Sequence, residues 1–403
     1  MLTVVTLDEA ARITEAAFPP GPEPETVPLE KACSRVLFAP IKSTEYVPGF
    51  DRSTVDGFAV RAADSFGCSE ALPAILTLSG AVEMGVGAGE PLAAGCCAAV
   101  PTGGAIPAGA DAAVMLEYTE NYGDGTIGIC RPAAPGENLI YRGDDVKPGQ
   151  VVLDAGRRLA PQDVGALAAL GVAEVQVCRK PVVGILSTGD ELVPVEAAPG
   201  PGQVRDVNSA LLRALAEEAG AEAVCYGVVR DDAALLRDSV DAALRECDLV
   251  LISGGSSVGA KDATERVLSE RGTLLFHGLA VKPGKPTLLA KVEDKPVFGL
   301  PGHPVAALFV ARLLVRPLIG RLMGCTAARY SIPAVLSEPV SANHGRAQLM
   351  GVRLYAENGV RCARPIRGKS GLITALAGAD GFFEIPRDLE GVAAGEPVEV
   401  YLL

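Results

Sequence analysis

The hydrophobic and polar positions change rhythm several times along the chain. Near the N-terminus Thr6 stands three residues before Glu9 at the head of an apolar-periodic stretch, which predicts a capped helix to about Ala17. The run Pro19-Pro20-Gly21-Pro22 stops it. From about 26 to 140 the pattern is short apolar runs broken by Gly and Pro, such as Ile75-Leu76-Thr77-Leu78 and Ala112-Ala113-Val114-Met115-Leu116. That punctuation predicts a β-rich unit. Lys147-Pro148-Gly149-Gln150 predicts a turn into a strand. The stretch 161–170 predicts a helix with Pro161 at its first position and Gly171 as its C-cap, and 174–178 a strand.

After Lys180-Pro181 strands and helices alternate. Buried strands are expected at 182–186, 224–229, 249–252, 274–276, 287–290 and 297–300, with helices at 208–219, 232–245, 263–271 and 304–318. Such alternation predicts a doubly wound, mostly parallel sheet with helices on both faces and ligands at the carboxyl ends of the strands. Beyond 330, alternating runs such as 349–354 and 398–402 predict a small terminal β-domain. The rhythm therefore divides the chain into 1–25, 26–140, 141–180, 181–325 and 326–403.

Composition narrows the function classes. The 403 residues exceed what one core usually serves, and 49% hydrophobic residues exclude a disordered chain. With 36 Lys and Arg against 49 Asp and Glu, the net charge is −13. That balance argues against a nucleic-acid partner and against clinging to anionic lipid. An anionic substrate then requires a local positive site. The N-terminus shows no basic stretch followed by an apolar run, and the most apolar window, 306–319, carries Arg312 and Arg316. The expectation is a soluble, cytoplasmic protein. Of the 10 cysteines only Cys96 and Cys97 are adjacent, no C-x2-C pair exists, and His277, His303 and His344 show no ligand spacing. The cysteines are expected to be reduced and mostly buried, without zinc or disulfides.

Four loops of the central unit carry candidate chemistry. Ser253-Gly254-Gly255-Ser256-Ser257-Val258-Gly259-Ala260-Lys261-Asp262 follows a buried strand, where glycines let backbone N–H groups converge on phosphate oxygens. It matches neither G-x-G-x-x-G nor the P-loop, and alone it also suits a flexible turn. Ser187-Thr188-Gly189-Asp190-Glu191-Leu192 falls at the same sheet edge, so Glu191 and Asp262 are expected to meet across one crevice. Two carboxylates beside a phosphate nest suit Mg²⁺. Lys282-Pro283-Gly284-Lys285-Pro286 presents two ammonium groups from a stiff turn, as an anion site would. Gly299-Leu300-Pro301-Gly302-His303-Pro304 turns a strand into a helix, with His303 by itself reading as a loop residue. Outside this unit, the acids of Asp51-Arg52-Ser53-Thr54-Val55-Asp56-Gly57 and Arg142-Gly143-Asp144-Asp145-Val146 read from physics alone as turn formers.

Taken in order, these motifs resemble the molybdopterin molybdenumtransferase family, of the MoeA type that includes the E domain of gephyrin. Further matching segments are Pro101-Thr102-Gly103-Gly104, Arg230-Asp231-Asp232 and Gly378-Ala379-Asp380-Gly381. The resemblance implies a central sheet like that of MoaB and MogA, a C-terminal β-barrel and a homodimer held partly by 1–25 with 141–180. It implies insertion of molybdate into adenylylated molybdopterin with Mg²⁺-dependent release of AMP, in molybdenum cofactor synthesis. On its pattern Glu191 and Asp262 hold Mg²⁺, while Gly254, Gly255, Ser257 and Gly259 contact the nucleotide phosphates. Lys282 and Lys285 bind molybdate or the pterin phosphate, with Arg346 and Ser370 as further oxyanion contacts and Thr188, Gly284 and Pro301 as further substrate-binding residues. Asp56, Thr102, Asp145 and Asp232 match positions of functional polar residues. The family often reads Pro-Gly-Asn-Pro-Val-Ser where this chain has Pro301-Gly302-His303-Pro304-Val305-Ala306. A molybdopterin adenylyltransferase shares the central fold and is the nearest alternative, or a docking partner; a gephyrin-like scaffold is the alternative from another class.

Overall fold

The computed structural model describes residues 4–254, 258–325 and 330–403, and the side chains of all of these except 258–262. The central unit runs β1 (Val182–Thr188), α1 (Val207–Ala219), β2 (Glu222–Val229), α2 (Ala233–Glu246), β3 (Leu249–Gly254), α3 (Val258–Arg271), β4 (Thr273–His277), β5 (Leu288–Val292) and β6 (Lys295–Leu300). Its sheet has the order β2-β1-β3-β6-β5-β4. The first four strands are mutually parallel, and β5 and β4 are antiparallel additions. Only Glu293 and Asp294 separate β5 from β6, both at positive φ of 49° and 64°. A two-residue hairpin leaves no room for the crossover that a parallel pair needs.

Sheet alternation sorts the two cores. Ile185, Leu251 and Phe298 join Leu212 and Phe309 on one face. Leu186, Val250 and Ile252 join Leu236 and Val240 on the other. The central strands β1 and β3 are buried almost throughout, as expected of strands covered on both faces. The edge strand β2 is largely exposed, and its register against β1 slips between Ile185 and Leu186, beside Gly227 with φ 80°.

Two helices depart from expectation. α3 begins at Val258, earlier than the sequence suggested. The helix opened by Pro304 spans Pro304–Val310, passes through a π turn at Ala311–Val315 and continues as Arg316–Leu322. Pro317 has no N–H for the carbonyl one turn back and its ring crowds that carbonyl, which accounts for the widened turn before it.

The β-rich unit holds a six-stranded sheet ordered Ala112–Met115, Gly57–Val60, Cys96–Val100, Ala74–Ala81, Thr126–Ile129, Thr119–Asn121. Residues 24–42 do not join it. Pro24–Pro28 pairs with Glu174–Cys178, and Ile41–Lys42 with Val151–Leu153. Strand pairing thus attaches this stretch to 141–180, where the sequence rhythm had placed the change at 26. Arg179 fastens the junction: it donates to Glu23 at 2.7 Å and to both oxygens of Asp248 at 3.0 Å, and Asp248 also accepts from the Val182 N–H. Burial works against the Asp248 charge, yet the Arg179 and Val182 hydrogen bonds hold its carboxyl below the usual carboxylate range.

At the C-terminus the strands Ala347–Glu357, Val360–Pro365, Ser331–Leu336, Pro397–Leu402 and Gly381–Ile385 pair in a ring, because the last also pairs with the first. The result is a closed five-stranded barrel. Val281–Lys282 adds to it in parallel, opposite Ala347 and Gln348, and so stitches the central unit to the barrel.

All cysteines are free, and four of them are buried: Cys68, Cys97, Cys178 and Cys247. Cys33 and Cys225 are exposed, so burial is less general than expected. Burial, with Cys96 adding to it, pushes the Cys97 thiol up to about 11. Among the described residues no helix is long and apolar enough to cross a membrane.

Candidate active site

The carboxyl ends of β1 and β3 meet where Thr188 pairs with Gly254. Gly254 has φ 135°, and a Cβ there would lie 2.1 Å from the Thr188 carbonyl oxygen and 2.4 Å from its Oγ1. Only glycine permits so close an approach, so the loop must open on one. Thr188 is 3% exposed, and among the described residues its Oγ1 finds no hydrogen-bond partner. A buried hydroxyl left with a free donor suits a phosphate oxygen arriving in the crevice. Gly255 and Ser257 lie outside the described residues. Gly259 and Asp262 fall within α3, but their side-chain surroundings are likewise outside the description.

Glu191 follows on the β1 loop beside Asp190, across from Asp231 at the end of β2. Partial burial, with the Asp190 and Glu191 charges adding to it, raises the Asp231 carboxyl above the usual carboxylate range. Crowded carboxylates of this kind favour a cation. Among the described residues no three His, Cys, Asp or Glu converge as a preformed metal cage. Carboxylate oxygens such as those of Glu191, Asp190 and Asp231 are the donor type that a hard cation takes. Asp232 sits differently. Its carboxylate accepts from the N–H groups of Ala234 and Leu235 at 2.8 and 3.0 Å, which makes it the N-cap of α2.

Between the central unit and the barrel lies a cavity of about 790 Å³. The 282–286 turn supplies Lys282, Gly284 and Lys285, the 301–306 turn supplies Pro301, His303 and Ala306, and the barrel side supplies Arg346, Gln348, Lys369 and Ser370. Among the described residues no Asp or Glu lines it. Among the described residues none of the four cations forms an ion pair. Phe309, Leu349, Met350, Ile366 and Leu376 give the remaining wall an apolar character. Such a cavity takes an anion attached to a flat or apolar body.

Sequence reasoning missed Asn208, Lys369 and Gln348. Asn208 is 6% exposed and donates from Nδ2 to Ser253 Oγ at 2.7 Å and to the Gly302 carbonyl at 2.9 Å. One amide thus ties the start of the Gly254 loop to the turn that borders the cavity. Read as sequence, an Asn in the first helical turn is an ordinary capping residue, which hid this role. His303, read as a loop residue, places Nδ1 2.7 Å from Ser370 Oγ.

The acids of the β-rich unit form a second group. Asp56 accepts from the Thr102 N–H at 2.7 Å. Asp51 accepts from the Arg142 N–H at 2.7 Å, which ties the loop that carries Asp145 to the segment before Asp56. Among the described residues, none between 26 and 140 lines the cavity. The structure therefore joins Asp56 with Thr102, and joins Lys282, Lys285, Arg346 and Ser370, but keeps the two groups apart.

Family models match almost the whole chain in order. They are the MoeA N-terminal region (domain I and II) over residues 5–171, a probable molybdopterin binding domain over 184–321 and the MoeA C-terminal region (domain IV) over 333–403. A molybdopterin molybdenumtransferase of Bacillus subtilis is 33% identical over 407 aligned residues, covering 100% of this chain and 94% of the relative. One of Haemophilus influenzae is 39% identical over 323, covering 80% and 78%. A crystal structure of a molybdopterin biosynthesis moeA protein from Pyrococcus horikoshii OT3 superposes with a TM-score of 0.87 at 36% identity, covering 99% of this chain and 100% of that one. With the same units in the same order around a shared crevice, the chain belongs to the MoeA family.

Proposed function

We propose that this protein is a molybdopterin molybdenumtransferase of molybdenum cofactor synthesis. Its substrates would be adenylylated molybdopterin and molybdate, and AMP would leave as the phosphoanhydride is cleaved. The observation that carries this reading is the cavity, where four cations meet no carboxylate among the described residues, in a chain of net charge −13. In an acidic protein such a concentration of positive charge implies an anionic ligand.

The residues divide the work along the substrate. Gly254, Gly255, Ser257 and Gly259, with Thr188, hold the nucleotide phosphates. Lys282, Lys285, Arg346 and Ser370 hold molybdate and the terminal phosphate of the pterin, with Gly284 and Pro301 shaping the turns between them. Glu191 and Asp262 hold Mg²⁺, which when bound neutralises the charge that develops on the phosphoanhydride. Asn208 keeps the two loops in register, so that a substrate bound at both ends presents its reacting part in one place.

We further infer a two-fold homodimer working in the cytoplasm. Asp56, Thr102 and Asp145 of one protomer would complete the site of the other, which explains why they lie apart from the cavity within one chain. A molybdopterin adenylyltransferase that hands over its product is the expected partner. The four sequence units, with 24–42 joined to the 141–180 stretch, serve this assembly: the outer unit for dimerisation, the others for the site.

The direct test supplies the purified protein with adenylylated molybdopterin, molybdate and Mg²⁺. AMP release that requires molybdate and yields active cofactor is expected. The adenylyltransferase alternative is tested by ATP with metal-free molybdopterin; AMP transfer there, without molybdate-dependent release, would overturn the proposal in its favour.

A further inference from the structure

Beside its four cationic side chains, the described lining of the cavity carries one imidazole. His303 Nδ1 lies 2.7 Å from Ser370 Oγ, and both residues line the cavity. Ala306, on the same wall, has no polar group to offer. The polar donor of this segment is therefore the His303–Ser370 pair.

The pair's donor direction depends on the ring's tautomer and charge: a neutral ring can accept or donate at Nδ1, whereas a charged one can only donate. A serine hydroxyl has a single proton to donate. A neutral ring with Nδ1 bare accepts that proton's hydrogen bond, and Ser370 then turns only lone pairs toward the cavity. An imidazolium must donate from Nδ1, so Oγ becomes the acceptor and the Ser370 O–H is released toward an oxyanion. The imidazolium also adds a positive charge of its own. The charged groups that line the cavity with His303 are Lys282 and Lys285 from the 282–286 turn, Arg346 at the head of its barrel strand and Lys369 from the loop before Ser370. No carboxylate among the lining residues offers the imidazolium a competing partner.

We propose that His303, acting through Ser370, is an anion-binding residue that couples capture of a tetrahedral oxyanion to uptake of a proton. The proton comes from solvent and stays on the ring, so no further reactant is needed. Linkage is reciprocal: protonation strengthens anion binding, and a bound anion favours protonation. The inference rests on reading the cavity as the oxyanion site.

The test is calorimetric titration of the full chain with molybdate alone, between roughly pH 5 and 8. Paired buffers of different ionisation enthalpy report the protons exchanged. Affinity should weaken by about tenfold as pH rises across the range, with net proton uptake on binding greatest within the range at about half a proton and falling off toward either end. His303→Asn, at an exposed position, should fold normally, bind with a flat pH profile and take up no proton. Ser370→Ala should bind more weakly at low pH and lose most of the slope. A His303→Asn variant that keeps the slope and the proton uptake overturns this inference alone. Failure of the unsubstituted chain to bind molybdate at any pH overturns the oxyanion reading of the cavity and this inference with it.

Discussion

Single side chains carry the electrostatics of the site. Lys282 and Lys285 stand on a turn braced by prolines and find no carboxylate in the cavity they line. Replacing either with alanine should remove one charge-assisted contact, about 1.5–3 kcal/mol and so about tenfold or more in affinity for molybdate or the pterin substrate. KM should rise in steady-state assays while the Mg²⁺ titration midpoint stays put. Unchanged KM for both substrates in both variants would remove the turn from the site. Asp232 invites a sharper comparison, because its carboxylate already satisfies two N–H groups of α2. Serine caps helices nearly as well as aspartate, so Asp232→Ser should keep the melting temperature, while Asp232→Ala lowers it. If Asp232→Ser is stable but inactive, the carboxylate acts on substrate as well as on the helix. The central loops were legible as motifs because glycines after buried strands and paired lysines on a stiff turn each have a chemical reason. Their neighbours Lys369 and Gln348 were not, since nothing local marks a barrel residue as facing a distant turn.

At the scale of elements, periodicity reveals what is local. The strands β1 and β3 and the helices between them read directly from continuous apolar runs and helical spacing, because each is covered on known faces. The barrel's closure and the pairing of Pro24–Pro28 with Glu174–Cys178 join segments far apart in sequence, and such contacts leave no local trace. The Arg179–Asp248 pair at this junction has a measurable signature. A carboxyl held below its unfolded value adds stability that is present above the unfolded pKa and lost as pH falls through the folded one. Thermal stability should therefore decline below roughly pH 4. Asp248→Asn should lower stability at neutral pH by about 1–2 kcal/mol, the pair being partly open to solvent, or roughly 3–6 °C. Its acid decline should be shallower than that of the parent; a parallel decline would assign the acid sensitivity to other carboxylates.

The whole molecule keeps its two functional groups of residues apart, and assembly is what would reunite them. Asp56→Asn and Asp262→Asn should each be inactive alone. In an isologous dimer whose sites draw on both chains, a mixed dimer puts both defects in one site and leaves the other intact. With random 1:1 pairing, half the dimers are mixed and about a quarter of the sites should recover. No recovery, with mixed dimers confirmed by mass, would mean that Asp56 serves its own chain's site or none.

The slipped register beside Gly227 has a meaning beyond the site. The barrel has no unpaired strand in its ring, whereas the central sheet ends on the long, largely exposed β2. A straight edge of that length would be a template for another chain's backbone. The bulge breaks the even spacing of its free N–H and carbonyl groups, so an incoming strand cannot match them over the full length. In a crowded solution that irregularity protects the molecule from growing into a fibre.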